Sequence, residues 1–392
     1  MNSGSSPALP LRRSAAVVGI GRSDWRGDWD RVRAGETPFD AYGYATVALR
    51  NALADAGITR AELDGLVAGH LFSYERMGEV LGLDVRWGSQ GNAAGAVLQA
   101  VLAIEAGLAE VVALVHGSNQ RSAKLQYGGT QTVGGENFLS YVYHAPWGMT
   151  SQGALYALTQ RRFAELRGYT ERDLGQVAVA QRAWAALNPA AIMTTPISVD
   201  DYLASPYICE PLHLLDYCLI NDGGVAMIIA EAGRAARMCD QPVYIETVGR
   251  SDLNRGATSL EPRLEGFYAA AQAEVARQIF DGSGFGPEDV SLVQAYDSFS
   301  VHVPLALEGY GYCRTGEFAK LCREQGIGPG GKRPVNSSGG HLSESYLHGW
   351  NHQLESVRQL RGTCGARQIE DCRLVHYSSD IAGKAISILY SR

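Results

Sequence analysis

The chain has 392 residues, of which 46% are apolar and 19% are charged, and its formal net charge is −7. This composition excludes a generally disordered chain and predicts a large buried core. An acidic surface is a poor match for a phosphate backbone, so we expect no nucleic-acid partner. No apolar run approaches the ~18 residues that span a bilayer, so we also expect no membrane segment.

The cysteine pattern favours a reducing compartment. The seven cysteines are scattered, odd in number and without a C-x-x-C pair. Free thiols of this kind are typical of cytoplasmic proteins, so a cytoplasmic location is expected. Residues 1–13 are rich in serine and proline and predict a loose terminus, followed by a first strand at Ala15–Val18. The Gly-Ile-Gly after this strand lacks the third glycine of a dinucleotide fingerprint, which excludes that kind of site here.

One helix–turn–strand pattern occurs twice. Residues 38–56 carry apolar positions at helical spacing and end at Gly57, before a turn and a strand. Residues 266–295 repeat this order about 227 positions later, with a glycine stop at Gly284 and a strand at Ser291–Ala295. Each copy is followed by a glycine-rich turn and a second helix–strand pair. The duplication predicts two similar α/β halves.

The two glycine-rich segments, residues 88–95 and 336–340, are both predicted to be turns that open helices. Such turns expose backbone N–H groups at the positive end of a helix dipole and can bind an anion or oxyanion. The alternative is that they only let a helix pack closely on the sheet. A strand is predicted at Glu110–His116, and residues 219–230 predict a strand that returns to the first half.

Three regions follow from this organisation. An N-terminal half covers residues 14–118 plus 215–235, and a C-terminal half covers residues 236–392. Between them, residues 119–214 differ in character, rich in Gly, Gln and Tyr at first and helical later, which predicts an inserted loop domain.

The sequence resembles the thiolase superfamily, in the branch related to the thiolase domain of sterol carrier protein X. The resemblance covers residues 14–392 and rests on the duplication and on five motifs: NAAGAVLQAVLAIEAGLAEVV, VAVAQRAWAALNP, INDGGVAMIIA, YDSF and VNSSGGHLSESYLHG. It implies an α/β thiolase fold, with two similar αβαβα halves and an inserted loop domain, and a homodimer. An exposed sheet edge at Glu110–His116 is the physical reason that we expect for pairing.

The two thiolase cysteines are absent. Asn92 stands where the nucleophilic cysteine of a thiolase is expected, and no cysteine precedes Cys209. The second cysteine position falls near Tyr377-Ser378-Ser379. Acyl transfer to sulfur is therefore excluded at the usual place.

Two further thiolase positions hold tyrosine. Tyr346 stands where the histidine of a Gly-His-Pro motif is expected, and the N-E-A-F or H-D-x-F loop reads Tyr296-Asp297-Ser298-Phe299. Tyrosines at these positions resemble the thiolase-like aldolases of bacterial steroid side-chain degradation. The resemblance implies a carbon–carbon lyase that cleaves a β-hydroxyacyl-CoA to a ketone or aldehyde and a shortened acyl-CoA, with Tyr296 and Tyr346 carrying the proton transfers.

The same resemblance implies the ligands and partners. The acyl-CoA thioester is the substrate, and no cofactor or metal is expected. Those aldolases work with a separate protein that carries an OB-fold and a zinc ribbon, so a heterotetramer with such a partner is expected beside the homodimer.

Retro-aldol cleavage requires a base, hydrogen-bond donors for the enolate and a proton source. A base removes the β-hydroxyl proton, the Cα–Cβ bond breaks, and the enolate needs hydrogen-bond donors and then a proton. Only about 0.1% of free tyrosine is ionised at pH 7, and lowering its pKa by 2–3 units takes roughly 3–4 kcal/mol. The helix N-termini at the glycine-rich turns are expected to supply part of this. Which tyrosine is the base stays open.

Three neighbouring residues have two interpretations each. His341 orients a tyrosine or contacts the thioester. Asp297 polarises the site or caps backbone groups. Asn92 donates a hydrogen bond to the thioester oxygen or satisfies the start of its helix.

Other functions remain open at this point. On a continuous helix His341, Glu344, His348 and His352 would share one face, which would suit a metal-assisted aldolase. The alternative is that His348 and His352 cap or pack an interior helix. A non-catalytic subunit that binds acyl-CoA or lipid, or that scaffolds a partner, is a second class. A condensing enzyme is a third, because aldol and retro-aldol reactions share one transition state.

Overall fold

The computed structural model describes residues 12–125, 147, 151–252, 266, 269–281, 283–381 and 384–392. The predicted loose segment 1–13 and the Gly/Gln/Tyr-rich start of the insertion therefore lie largely outside the described residues. Within the described residues, every helix is too short or too polar to cross a membrane.

Nine strands form one mixed sheet in the order β3-β2-β4-β7-β1-β8-β11-β10-β9, and β5 and β6 form a separate hairpin. The strands are β1 (Ala15–Arg22), β2 (Gly65–Gly69), β3 (Trp87–Gly91), β4 (Val111–Asn119), β5 (Tyr207–Cys209), β6 (Leu212–His213), β7 (Asp222–Glu231), β8 (Val243–Ser251), β9 (Leu292–Ala295), β10 (Leu374–Ile381) and β11 (Lys384–Ser391).

The sheet contains the same strand pattern twice. In the first half β2 is parallel to β4, and β7 is antiparallel to both β4 and β1. In the second half β9 is parallel to β10, and β11 is antiparallel to both β10 and β8. The antiparallel pair β1 and β8 joins the two halves. In the first half β3 runs parallel beside β2. In the second half the equivalent position beside β9 is held by a single parallel bridge, between Val335 and Val293. The duplication predicted from the sequence is therefore present as a repeated topology.

The helices lie on both faces of this sheet. They are α1 (Trp25–Arg33), α2 (Ala41–Ala56), α3 (Tyr74–Leu81), α4 (Ala93–Glu105), α5 (Gln152–Arg167), α6 (Glu171–Leu174), α7 (Gln176–Ala186), α8 (Val199–Ala204), α9 (Ala232–Met238), α10 (Ala269–Ala276, continued by a π-turn at Arg277–Asp281), α11 (His302–Gly309), α12 (Phe318–Glu324), α13 (Gly340–Ser343) and α14 (Trp350–Arg361).

Three apolar clusters make the core. The central cluster joins α4 and α14, one from each half, to the face of the sheet that both halves share. A second cluster packs α2 and α3 on the opposite face of the first half. The third packs α10, α11 and the described helices of the insertion against the second half. The mixed α/β fold expected from the sequence is confirmed.

Two local predictions are wrong. The segment Gly88-Ser89-Gln90-Gly91 is not a turn but part of strand β3, and the helix opens after it at Asn92. The predicted sheet edge at Glu110–His116 is the buried strand β4, which lies between β2 and β7. The edge of the first half is β3. A glycine-rich strand looks like a turn in sequence, because glycine gives it no strand propensity.

Helix α2 lies against a row of strand glycines. A Cβ atom built on Gly21 would lie 2.1 Å from the backbone oxygen of Ala48, and one on Gly117 would lie 1.9 Å from the oxygen of Ala41. Glycine is therefore needed here for close approach of helix and sheet backbones.

We predict that Gly21→Ala lowers the free energy of unfolding by about 2 kcal/mol or more, because the helix must move off the sheet. Gly78→Ala is the matched control. Gly78 lies inside α3, and the nearest atoms that its added Cβ would meet are 3.7 Å away. The better helix propensity of alanine should therefore raise the free energy of unfolding by about 0.5–1 kcal/mol. Urea unfolding of both variants measures this, and an unchanged Gly21→Ala would contradict the close packing.

The interior also encloses ionisable groups. Burial lowers the pKa of five histidines, to about 3 for His116 and His376, to about 4 for His302 and His341, and well below the usual value for His348. Burial acts in the opposite direction on four carboxyl groups, those of Asp28, Asp216, Glu344 and Asp380. It raises the pKa of Asp216 to about 6 and that of Asp380 to about 7.

We predict that stability falls as the pH drops from 6.5 to 5. Near pH 5 the five histidines are protonated in the unfolded chain but not in the native chain. Asp216 and Asp380 show the reverse, since they are protonated only in the native chain. Unfolding then takes up about three protons, which corresponds to about 4 kcal/mol per pH unit at most. Urea unfolding across this range measures the slope. Asp380→Asn removes an opposing group and should steepen the slope, and a flat or inverted profile would contradict the assignment.

Candidate active site

The site is built where strand β9 ends against a glycine turn. Asn336 lies at the start of this turn, and its amide oxygen accepts a 2.8 Å hydrogen bond from the backbone N–H of Ala295. Its amide nitrogen donates to the oxygen of Ala295 at 3.0 Å. Asn336 has a φ of 50°, and asparagine tolerates this left-handed conformation better than most residues. The turn is thus fixed beside Tyr296 and Asp297, the two residues that follow β9.

The Asp297 carboxylate is the centre of a buried network. Both of its oxygens accept the backbone N–H of His341 at 3.0 Å, and Oδ1 accepts Nε2–H of His352 at 2.7 Å. Nδ1 of His341 lies 3.1 Å from the same oxygen. Asp297, His341 and His352 are all fully buried. Burial opposes ionisation of Asp297, but the two histidines outweigh it and lower the pKa of this carboxyl group.

The two tyrosines predicted to carry the chemistry lie side by side. Their hydroxyl oxygens are 3.0 Å apart, a hydrogen-bond distance. Tyr296 is buried with 6% of its surface exposed, and Tyr346 is partly exposed. Tyr346 is therefore the one of the pair that a substrate meets first.

His341 packs edge-on against both tyrosine rings, with ring centroids 4.8 Å from Tyr296 and 4.9 Å from Tyr346. Its Nε2 accepts a 2.9 Å hydrogen bond from the backbone N–H of Gly349. A neutral ring must then carry its proton on Nδ1, which faces Asp297. The ring is thus held through Nε2, with Nδ1 3.1 Å from Asp297 and no aligned hydrogen bond there, and of its two predicted roles this geometry fits the orientation of the tyrosines.

Residues from the first half hold Tyr346 from the other side. The backbone N–H of Tyr346 donates to Oδ1 of the buried Asn221 at 2.6 Å, and Leu219 N–H donates to the His341 oxygen at 3.0 Å. The insertion adds Ile192 N–H, which donates to the Glu344 oxygen at 3.0 Å. All three described regions of the chain therefore meet at this site.

The expected lowering of a tyrosine pKa is not supported by this geometry. Burial, followed by the neighbouring Tyr346, raises the pKa of Tyr296 well above 10, so Tyr296 is a neutral hydroxyl group. The helix after the second glycine turn, α13, has only four residues and gives a weak dipole. The first helix start is occupied, because Oδ1 of the exposed Asn92 accepts the N–H of Gly95 at 2.8 Å. Asn92 thus caps α4, the second of its two predicted roles.

The proposed metal-binding face is wrong in its geometry. Helix α13 ends at Ser343 and α14 begins at Trp350, so the four residues do not share one helix. The Glu344 carboxylate accepts from Asn188 and Asn351, away from the tyrosines.

Another set of ligand-type atoms does come together. The side chains of Asp297, His341 and His352 place one ligand atom each within 4.8 Å of one another. These atoms lie at hydrogen-bond distances, and the other nitrogen of His341 accepts from Gly349. The arrangement is that of a closed hydrogen-bond network rather than an open coordination site.

Sequence reasoning missed three residues here. Asn221 lies in the INDGGVAMIIA motif, and its place directly before a strand was the sequence signal that could have pointed to a site residue. His352 was assigned to a helix face, but it binds Asp297, 55 positions away in sequence. Tyr377 is fully buried, and a Cβ atom on Gly349 would lie 2.1 Å from its hydroxyl oxygen. Such contacts depend on tertiary structure, which spacing alone does not reveal.

Comparison with known proteins places the chain in a family. The family model for thiolase C-terminal domain-like proteins matches residues 256–392. A 17-hydroxy-3-oxo-4-pregnene-20-carboxyl-CoA lyase of Mycobacterium tuberculosis is 34% identical over 90% of this chain and 93% of its own length. A steroid side-chain-cleaving aldolase of Thermomonospora curvata is 33% identical, over 90% and 92% of the two chains.

Solved structures agree with this. The structure of an Ltp2-ChsH2(DUF35) aldolase superposes with a TM-score of 0.87 and 29% identity, covering 97% of this chain and 98% of that one. The chain therefore belongs to the thiolase superfamily, in the group that includes the steroid side-chain-cleaving aldolases.

Proposed function

We propose that the protein is a carbon–carbon lyase that cleaves the CoA thioester of a β-hydroxylated steroid side chain by a retro-aldol reaction. The products are a ketone and a shortened acyl-CoA. The observation that carries this proposal is the 3.0 Å contact between the hydroxyl groups of Tyr296 and Tyr346, at positions where a thiolase holds other catalytic groups. The names of two relatives that are at least 33% identical support the substrate class.

The hydroxyl pair suits a proton relay. Tyr346 takes the β-hydroxyl proton as it passes its own proton to Tyr296, and Tyr296 gives its proton to Cα. The electron pair of the Cα–Cβ bond takes up the Tyr296 proton at Cα in the same step as the bond breaks, so enolate charge develops only in the transition state. Each tyrosine is neutral before and after the cycle, so no free phenolate is needed. This resolves the conflict between base chemistry and the raised pKa of Tyr296, which burial causes.

The network beneath the pair holds it in place. Asp297 fixes the backbone of His341, whose ring contacts both tyrosine rings. Geometry of this kind lowers the barrier by orienting reacting groups before reaction. We propose that the CoA thioester is the substrate and that the reaction uses no cofactor.

The proposed assembly has two parts. Among the described residues, strand β3 pairs with β2 alone and forms the edge of the first half, which supports pairing of two copies in a homodimer. We also propose a heterotetramer with an OB-fold and zinc-ribbon partner. The similarity to a solved Ltp2-ChsH2(DUF35) aldolase supports a partner of this kind. A cytoplasmic location is proposed because all seven cysteines are free thiols.

A non-catalytic acyl-CoA-binding or scaffold subunit is the second candidate. The partly exposed Tyr346 hydroxyl beside a buried one argues against it, since a scaffold has no need for this pair. Substitution of both tyrosines by Phe separates the two candidates.

We predict that Tyr296→Phe and Tyr346→Phe each lower kcat at least 100-fold, because either change interrupts the relay. The double variant should be no worse than the poorer single variant, since the two hydroxyl groups act as one unit. Mass spectrometry of the products from a steroid β-hydroxyacyl-CoA, without added free CoA and with the partner protein present, measures the cleavage.

Tyr207→Phe is the matched control. This tyrosine also donates its hydroxyl group to a side chain, that of Glu171, but it is 46% exposed, and its loss should leave kcat unchanged. Cleavage that survives the double substitution at 296 and 346 would contradict the tyrosine mechanism. Absence of cleavage by the wild-type protein with its partner and several substrates would favour the scaffold.

A further inference from the structure

A second polar cluster lies against Tyr346, on the side away from Asp297. The ring of His348 is 4.7 Å from the Tyr346 ring. His348 has a φ of 52° and is followed by Gly349 with a φ of 87°. A left-handed backbone conformation is strained for a residue other than glycine, and such strain persists where the surrounding structure enforces it, often at functional sites. The strained turn is what directs this imidazole beside the reactive tyrosine.

The ring proton of His348 has a defined position. The amide Nε2 of Gln120 lies 2.8 Å from Nε2 of His348. An amide nitrogen only donates, so Nε2 of the ring is the acceptor and Nδ1 carries the proton. His348 therefore presents a neutral N–H donor.

The surroundings keep this imidazole uncharged. The aromatic groups that face it are His116, with ring centroids 5.4 Å apart, His70 at 5.2 Å, and Tyr346. Gln120 is the hydrogen-bonded neighbour. Burial, and then the nearby His116, His70 and His341, lower the pKa of His348 well below its usual value. A neutral imidazole donates a hydrogen bond without giving up its proton, which suits it to a developing oxyanion.

Several polar atoms next to His348 are buried without a hydrogen-bond partner among the described residues. His116 and Ser118 alternate along the end of β4 and so point to one face of the sheet. Gln120 follows the strand, and its amide contacts His348. The unpartnered atoms are both ring nitrogens of His116, the Ser118 hydroxyl and the Gln120 amide oxygen. More than about 90% of buried polar groups find partners in proteins, so four together indicate a place filled by water or by a polar ligand atom.

We propose that His348 is a catalytic residue of this site, whose Nδ1–H donates to the thioester oxygen as the enolate forms. This rests on the proposed retro-aldol function. When the Cα–Cβ bond breaks, its electron pair moves onto the thioester carbonyl, and the negative charge on oxygen meets the imidazole N–H. The developing charge on oxygen is lost as Tyr296 protonates Cα in the same step, and His348 keeps its proton throughout. Gln120 is a positioning residue, because it fixes the tautomer.

The test is the kinetics of His348→Asn with its partner protein and a steroid β-hydroxyacyl-CoA. Asparagine tolerates the left-handed backbone and removes the imidazole donor. We expect kcat to fall about 100-fold with KM changed less than threefold, since losing one oxyanion donor costs about 10²–10³ in kcat. Tyr207→Phe, outside the site, is the control and should leave both constants unchanged, because Tyr207 is 46% exposed and its hydroxyl group bonds Glu171, the side chain described above.

Two outcomes would overturn the proposal. The first is a His348→Asn enzyme with kcat within threefold of wild type while Tyr346→Phe is inactive, which would leave the proposed function intact. The second is a rise in KM with unchanged kcat, which would assign His348 to ground-state binding. Full activity of both the His348 and the Tyr346 variants would instead contradict the proposed function itself.

A measurement on the unaltered protein keeps the test independent of folding in the variants. Nitrogen-15 NMR of histidine-labelled protein should show Nδ1 of His348 protonated and Nε2 unprotonated, with the resonance assigned by its absence in His348→Asn or, failing that, by its shift in Gln120→Leu. The opposite tautomer would overturn the proposal. Gln120→Leu removes the donor to Nε2, so the His348 proton should be shared between the two ring nitrogens and kcat should fall about tenfold. An unchanged kcat would contradict the positioning role of Gln120.

Discussion

The buried carboxylate of Asp297 is the interaction on which the site depends. An isolated buried charge is costly, and here the His341 backbone N–H and the His352 ring N–H donate to it, with the His341 ring 3.1 Å away. These contacts tie the end of β9 to the glycine turn and to α14. The turn itself allows no other residue at Gly340, where a Cβ atom would lie 2.4 Å from Oδ2 of Asp297. Tyr296 follows strand β9 and Tyr346 follows the glycine turn, which are two of the segments that the Asp297 carboxylate joins.

This constraint explains how a thiolase fold can work without cysteine. A thiolase forms an acyl–sulfur bond, whereas retro-aldol cleavage needs only proton transfer and a donor for the enolate. In the mechanism that we propose, Tyr296 and Tyr346 supply the first requirement. The second requirement falls to neutral groups, since burial lowers the pKa of His341 and of His348 below the usual value for a histidine. A cation near the tyrosines would have favoured a phenolate, and the low polarity of the site favours a relay between neutral hydroxyl groups instead.

The parts of the fold that the sequence predicted are those with local signals. The duplicated helix–turn–strand pattern predicted two halves, and the helix ending at Gly57 is α2, whose C-cap glycine has a φ of 67°. The positions of the two tyrosines followed from the resemblance to thiolases. Strand β3 was missed because three of its five residues are glycine or serine. The strand forms through its pairing with β2.

The site was predictable only in part, for a similar reason. The metal hypothesis assumed that residues 341–352 form one helix, and the positive φ values of His348 and Gly349 break that helix. Sequence spacing could not show that His352 turns to Asp297 or that Asn221 holds Tyr346, because both contacts join distant segments. The pKa of Tyr296 depends on burial, which a sequence motif does not give.

The most direct test of the relay is a proton inventory of single-turnover cleavage. The rate is measured in mixtures of H₂O and D₂O, with the wild-type protein, its partner and a steroid β-hydroxyacyl-CoA. If the Tyr346 and Tyr296 protons move together, the rate should fall along a curved, bowl-shaped line as the deuterium fraction rises, because more than one exchangeable proton is in flight. A straight line would mean that one proton moves in the rate-limiting step and would contradict the two-tyrosine relay.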